Sequence, residues 1–333
     1  MFFKKYLYKT NFGQVVVGDS IELMQNLPND SINLVITSPP FALQRQKEYG
    51  NKTQSEYVEW LLKFTSEIKR ILKEDGSFVV DLGGAYQKGI PVRSLYNYKF
   101  LIELCERQDW HLAEEFFWFN PAKLPSPIEW VNKKKIRVKD AVNTIWWLSK
   151  TPYPKANVNN VLVEYSDRMK KLIVDKENYY TPKKRPSGHD ISKGFGTNNG
   201  GAIPPNLLQI PNTESNSQYL RLSKEYNLKS HPARFPSKLP EFFIKFLTNY
   251  DDIVLDIFAG SNTTGWIAEQ LFRKWLAFDN NHKYLVNSVF RFTNGNYLKT
   301  ILPLISKSEE ANIHLQLDES LFGEKKVLYK SKK

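Results

Sequence analysis

A single cysteine, Cys105, stands among the 333 residues. One thiol cannot close an internal disulfide, so the fold owes nothing to oxidation, and a reducing cytoplasmic setting is expected. Histidine is scarce too. His111, His189, His231, His282 and His314 lie scattered without metal-ligand spacing, and no metal is expected. No apolar run approaches the roughly 20 residues that span a bilayer, so no membrane partner is expected. The opening stretch MFFKKYLYKT lacks the apolar core and cleavage site of a secretory signal. Acidic residues are the minority charge: 35 Asp and Glu against 47 Lys and Arg leave a net +12. Such an excess points to an anionic partner, nucleic acid first.

What is present has the rhythm of an α/β protein. QVVVGD (14–19) is a β-branched run, SIELMQNLP a short helix and SINLVITSPP the next strand. SEYVEWLLKFTSEIKRILKEDG (55–76) has apolar residues at helical spacing, with Gly76 as its stop. SFVVDLG is a strand, and FLIELCERQDWHLAEEFFWFN reads as helix then aromatic strand. This alternation predicts a doubly wound sheet with helices on both faces. From Pro121 to about residue 231 the chain turns rich in Pro, Asn, Lys and Gly. It carries the basic clusters NKKKIRVK, RMKK and PKKRPSGH, with NTIWWLSK as one strand among them. An insertion on the sheet is expected there. The α/β pattern returns with LPEFFIKFLTNY, DIVLDIFAG, SNTTGWIAEQLFRK and WLAFDNN. The predicted organisation is 1–120, a first α/β half; 121–231, the insertion; 232–300, a second α/β half; and 301–333, a polar tail whose last stretch, with EKKVLYKSKK, is expected to fray.

Two stretches carry chemistry. In DIVLDIFAGSNTTG (252–265) an apolar strand meets Gly260, which permits a tight turn and close ligand approach. Ser261, Thr263 and Thr264 offer hydroxyls near a helix start. About 20 residues on, WLAFD ends at Asp279, placed to accept from ribose hydroxyls. No Gly-Lys-Ser/Thr follows, so this is not a phosphate loop. The second stretch is TSPPF. Proline has no N–H, so Ser38-Pro39-Pro40 leaves carbonyls without local donors. With the Ser38 hydroxyl they can accept both N–H groups of an exocyclic base amine. That redirects the amine lone pair toward an electrophile, while Phe41 offers a face on which the base stacks.

Ser-Pro-Pro-Phe after a strand, followed later by a D-x-F-x-G turn, resembles the amino-methylating DNA methyltransferases. The order, SPPF before DIFAGSNTTG, resembles their β class. TSPPFALQRQKEYGN, GSFVVDLGGAYQKGIPVRSLYN, KLPSPIEWVNKKKIRVKDAVNTIWW, RPSGHDI and HPARFPSKLPEFF are similar to the PvuII-type cytosine-N4 enzymes over nearly the whole chain. The resemblance implies a Rossmann-like, circularly permuted fold with the catalytic half first, S-adenosyl-L-methionine as cofactor, and duplex DNA as substrate with its target base flipped out. It implies that Ser38, Pro39, Pro40 and Phe41 hold the base, with Asp81 near Ser38 to receive a proton. It places Phe258, Gly260, Ser261, Asn262, Thr263 and Thr264 along the cofactor. Asp279 would take the ribose, Asp19 the adenine amine, and Asp256 the turn near the methionine amino group. Asn262 stands where many members carry glycine. Lys133, Lys134, Lys135, Arg137 and Lys139 would face DNA, some at phosphates and some at guanine edges. A cognate restriction endonuclease is implied as a functional partner that need not touch the chain, and a monomer suffices. A short palindrome such as CAGCTG is the kind of target the resemblance suggests.

Three alternatives stand beside this. Adenine-N6 enzymes usually carry Asp or Asn where Ser38 stands, so serine favours cytosine N4. Carbon-5 methylation needs a cysteine nucleophile, and Cys105 sits in a helical context without a preceding proline. A nucleotide-binding DNA-recognition protein without catalysis has no use for both Ser38–Phe41 and Asp279.

Overall fold

A computed structural model of the chain describes residues 3–40, 54–175, 196–213 and 217–318. Its described residues divide into two compact units: residues 1–156 with 206–333, and residues 157–205.

The larger unit is built on a ten-stranded sheet in the order β10-β1-β2-β9-β8-β3-β4-β6-β5-β7. Its strands are β1 (Tyr8–Lys9), β2 (Gly13–Val17), β3 (Ile32–Thr37), β4 (Leu72–Leu82), β5 (His111–Phe119), β6 (Val142–Ser149), β7 (Leu207–Gln209), β8 (Ile253–Asp256), β9 (Lys274–Asp279) and β10 (Ile313–His314). The central block β2-β9-β8-β3-β4 is parallel throughout. β6 runs antiparallel to both β4 and β5. Every residue of β3 is buried, as expected of a parallel strand covered on both faces.

The covering helices follow from apolar spacing. In α2 (Gln54–Ile71), Tyr57, Leu61, Phe64, Ile68 and Ile71 recur at intervals of three to four and are all buried. With α1 (Ser20–Gln25) and α3 (Tyr96–Arg107) this helix covers Val35, Val80, Leu255 and Phe278 on one face. The opposite face, with Ile36, Val79, Val254 and Ala277, is covered by α5 (Gln218–Glu225), α6 (Lys238–Leu247), α7 (Thr263–Gln270), α8 (His282–Ser288) and α9 (Gly295–Lys307). The chain leaves β3 through α2 toward β4 and leaves β8 through α7 toward β9. The two crossovers diverge from adjacent strands, which opens a crevice above the carboxyl ends.

Three expectations are corrected. Helix α2 stops at Ile71 rather than Gly76, because Leu72 already pairs with Ile32. The register then slips to Leu34↔Ser77, and Gly76 lies in the bulge. Its missing Cβ would sit 2.9 Å from the Lys73 carbonyl oxygen. The insertion is much shorter than 121–231. Ile145, Trp146, Trp147 and Leu148 are buried in the sheet, and Leu208, Tyr219 and Leu222 join the core. Only residues 157–205 separate, with α4 (Asp167–Val174) and the bridge Val163↔Ala202. The stretch from residue 301 is more than a polar tail as far as it is described, and EKKVLYKSKK lies outside the described residues. α9 buries Leu298, Ile301, Leu302 and Ile305, and β10 pairs with β1. Among the described residues no helix is long and apolar enough to cross a membrane.

Candidate active site

The crevice is a cavity of about 1150 Å³ lined from the ends of β3, β4, β8 and β9 and from residues 231–235. It has two chemically different ends.

At one end, Ser38, Pro39 and Pro40 follow β3, and Asp81 stands near the end of β4. The Ser38 Oγ donates to Asp81 Oδ2 at 3.0 Å, and Asn143 Nδ2 donates to Asp81 Oδ1 at 3.1 Å. Asp81 is 3 % exposed. Burial pushes its carboxyl up to about 6, against the two hydrogen bonds and the nearby Lys123 charge, which all favour the ionised form. At neutral pH the carboxylate dominates, and it is more basic than a surface aspartate. Phe41 lies outside the described residues.

At the other end, β8 runs into Asp256-Ile257-Phe258-Ala259-Gly260. Gly260 takes a φ of +49°, and an added Cβ would approach His231 Nε2 to 3.0 Å. Only glycine meets both conditions without strain. Its amide donates to Asp279 Oδ2 at 2.8 Å, and the Asn281 amide donates to Oδ1 at 2.8 Å. Burial pushes the Asp279 carboxyl up to about 6, which the two amides oppose. Phe258 presents its ring to the cavity from between Trp60 and Phe64, at centroid distances of 5.7 and 5.0 Å.

Asp256 joins the ends. Its Oδ1 accepts from Thr37 Oγ1 at 2.7 Å and from the Phe258 amide at 3.1 Å, and its Oδ2 accepts from Thr264 Oγ1 at 2.7 Å. Burial raises its carboxyl above the ordinary range. The β3 end is thus tied directly to the β8–α7 turn.

Of the expected cofactor residues, Asp256, Phe258, Gly260, Ser261, Thr263 and Asp279 line the cavity. Three do not. Asp19 caps α1, its Oδ1 accepting from the Ile21 and Glu22 amides at 2.8 and 3.3 Å. This is the ordinary work of aspartate at an N-cap. Asn262 is fully buried in the left-handed region with φ 52°, where its Oδ1 caps α7 through the Gly265 amide. Thr264 faces Asp256. Asn262 and Thr264 shape the turn without reaching the cavity.

The five expected DNA-facing cations lie between β5 and β6. Arg137 donates to the Pro91 carbonyl at 2.8 Å, and Lys139 Nζ donates to those of Pro121 and Lys123 at 3.0 and 3.4 Å, so both also fasten the loop. Lys133 and Lys134 pair with Glu129, and Lys134 rests over the Trp130 ring.

Sequence reasoning missed Asn143, His231, Tyr284 and Arg291. His231 packs edge-on to Tyr284 at 4.4 Å beside the Gly260 turn. Buried Arg291 donates from Nε to the Ser261 carbonyl at 2.6 Å and from a terminal nitrogen to Ser261 Oγ at 3.1 Å. HPARFP was the one visible signal for His231; nothing local marks Asn143 or Arg291.

A nucleoside-bearing cofactor fits this donor set. A buried carboxylate faces the cavity where ribose hydroxyls need acceptors, glycine removes the side chain that would block approach, and Phe258 supplies an apolar face. The fold is that of the S-adenosylmethionine-dependent methyltransferase class. The match to known proteins narrows this. Residues 32–289 fit the family model described as DNA methylase, and the chain belongs to that family. It is 61% identical over 295 residues to the Type II methyltransferase M.PvuII of Proteus hauseri, covering 89% of this chain and 88% of the relative. It superimposes on the solved PvuII DNA methyltransferase (cytosine-N4-specific) with a TM-score of 0.77 and 49% identity, covering 94% of this chain and 99% of that one. A putative DNA modification methylase of Thermus thermophilus, solved in complex with S-adenosyl-L-methionine, shares the fold at a TM-score of 0.51 and 17% identity, covering 83% of this chain and 91% of that one.

Proposed function

We propose that this protein transfers a methyl group from S-adenosyl-L-methionine to the exocyclic N4 amine of a cytosine flipped out of a short duplex site. The observation that carries this is the Ser38–Asp81 hydrogen bond in the same cavity as the Gly260–Asp279 pair. A base-amine acceptor and a ribose acceptor face one space. The relation to M.PvuII and to the cytosine-N4-specific structure supports cytosine as the base.

Bound S-adenosyl-L-methionine supplies an electrophilic methyl on sulfur. The chain does the rest by alignment and electrostatics. Asp279 and Gly260 fix the nucleoside, and Phe258 backs it. Ser38 Oγ, already donating its proton to Asp81, presents its lone pairs to one N–H of the cytosine amine. The carbonyls freed by Pro39 and Pro40 accept the other. The amine nitrogen would take the methyl as the methyl's bond to the cofactor sulfur breaks and a neutral thioether leaves, and the proton the amine then sheds would pass to Ser38 while Ser38's own proton passes to Asp81. An acid near 6 is a matched acceptor for that transfer. No further reagent is required.

A monomer methylates the two strands of a palindrome in separate encounters, in the cytoplasm, protecting DNA from an endonuclease of the same specificity without touching it. The test is digestion of treated DNA to nucleosides and mass spectrometry of the labelled product. N4-methylcytosine is expected; N6-methyladenine would move the target base, and an unlabelled digest would remove the activity.

A further inference from the structure

A flipped base leaves a gap in the duplex, and the loop joining β5 to β6 carries what that gap needs. Residues 121–140 form a closed lobe. The Asn120 amide donates to the Ala141 carbonyl at 2.9 Å and the Asp140 amide to the Ser126 carbonyl at 3.0 Å. Lys139 Nζ, bonded to Pro121 and Lys123, ties the outgoing segment to the incoming one. Lys123, Ser126, Pro127, Asp140 and Ala141 line the cavity, so the base of the lobe forms part of its rim.

Of the four large apolar side chains the lobe exposes, Leu124, Ile128, Ile136 and Val138, two stand out furthest. Leu124, between cavity-lining Lys123 and Ser126, is 80% exposed; Val138, next to the Lys139 tie, is 87% exposed. Single exposed apolar residues need no explanation, but these two sit on segments cross-linked to each other beside a cavity mouth. Leu124 precedes a proline, which restricts its backbone, and Val138 is β-branched, which restricts its side chain. The lobe also has six cations against two acids, the charge of a surface that meets phosphates.

We propose that Leu124 and Val138 enter the duplex beside the target cytosine and occupy the stack it vacates, with the lobe cations holding the flanking phosphates. This rests on the methyltransferase reading above and adds how the enzyme holds the base out. An apolar wedge offsets lost stacking, and a rigid lobe holds it in place without further ordering.

The test compares two substrates that differ only in how firmly the target is held. One duplex pairs the target cytosine with guanine; the other places an abasic site opposite it, so flipping is easier. Wild type, Leu124→Ala, Val138→Ala and the double variant are assayed under single turnover, with cofactor affinity by calorimetry as a check on folding. The double variant is expected to lose about tenfold or more on the paired duplex and to come within about twofold of wild type on the abasic one. Leu124→Met should restore most of the paired-duplex rate. Equal losses on both substrates, or no loss on the paired duplex, would overturn the wedge. A wild-type enzyme that methylates neither duplex would instead sink the methyltransferase reading itself.

Discussion

Ser38 and Asp81 lie 43 residues apart on neighbouring strands, and the serine hydroxyl donates to the carboxylate at 3.0 Å. The parallel pairing of β3 with β4 delivers this. Thr37 registers with Val80, so the next residues, Ser38 just past β3 and Asp81 within β4, meet at the same edge. Ser38→Ala removes the acceptor offered to the base amine and the proton's way out, while leaving the far end of the cavity intact. Methyl transfer should fall by at least about 100-fold, with cofactor affinity within about twofold by calorimetry.

Asp81 must be ionised to take the proton, and burial holds it near 6. Rates should therefore fall about tenfold per pH unit below about 6 and level off above it. Asn143 donates to the carboxylate's other oxygen and favours its charged form. Asn143→Ala should move that acidic limb to higher pH, which a purely structural defect would not do. An unshifted profile would free Asn143 of this role.

The same carboxylate carries a stability penalty. Its folded-state value near 6 lies above the roughly 3.9 of an unfolded aspartate. The folded chain holds its proton more tightly, so stability drops as pH rises from about 4 to 6 and stays low above that, by about 2–3 kcal/mol. Asp81→Asn cannot ionise. It should melt several degrees higher than wild type at about pH 7.5, with the gap closing near pH 4, while losing transfer. Differential scanning calorimetry at the two pH values decides this.

Asp279 reads out differently. Asp279→Ala removes the acceptor facing the cavity and leaves two amides unpaired, so cofactor affinity should weaken about 10- to 100-fold. Gly260→Ala should act in the same direction through the left-handed backbone and the His231 ring. Affinity unchanged in both would remove this end of the cavity from cofactor binding.

Lys135 stands exposed on the lobe with a φ of 54°. If it meets a phosphate, Lys135→Ala should lower the slope of log affinity against log salt by about one while leaving sequence preference intact. A slope equal to wild type would place Lys135 away from the backbone.

Much of this site was legible in the residues. SPPF and DIFAG announce themselves because proline and glycine have unique backbone chemistry, and Asp279 follows at the interval a β-α-β crossover imposes. The Asp81–Ser38 contact was implied only by the family resemblance, and the parallel pairing of β3 with β4 supplies its physical reason. Asp19 does not line the cavity; aspartate at a strand end serves equally as a helix cap, and its carboxylate caps α1. The extent of the insertion misled because β7 is three residues long and β6 is buried within basic surroundings; short strands carry little periodicity. Asn143 and Arg291 could not be read at all. Their roles arise from pairing and packing across distances of 62 and 30 residues.

The most direct measurement pairs wild type with Ser38→Ala on the same DNA with labelled S-adenosyl-L-methionine, with the nucleosides resolved by mass spectrometry. Label in N4-methylcytosine from wild type and none from the variant, with cofactor bound equally by both, is the predicted result. Label in another base, or equal N4-methylcytosine from both proteins, would contradict the role given to Ser38 and Asp81.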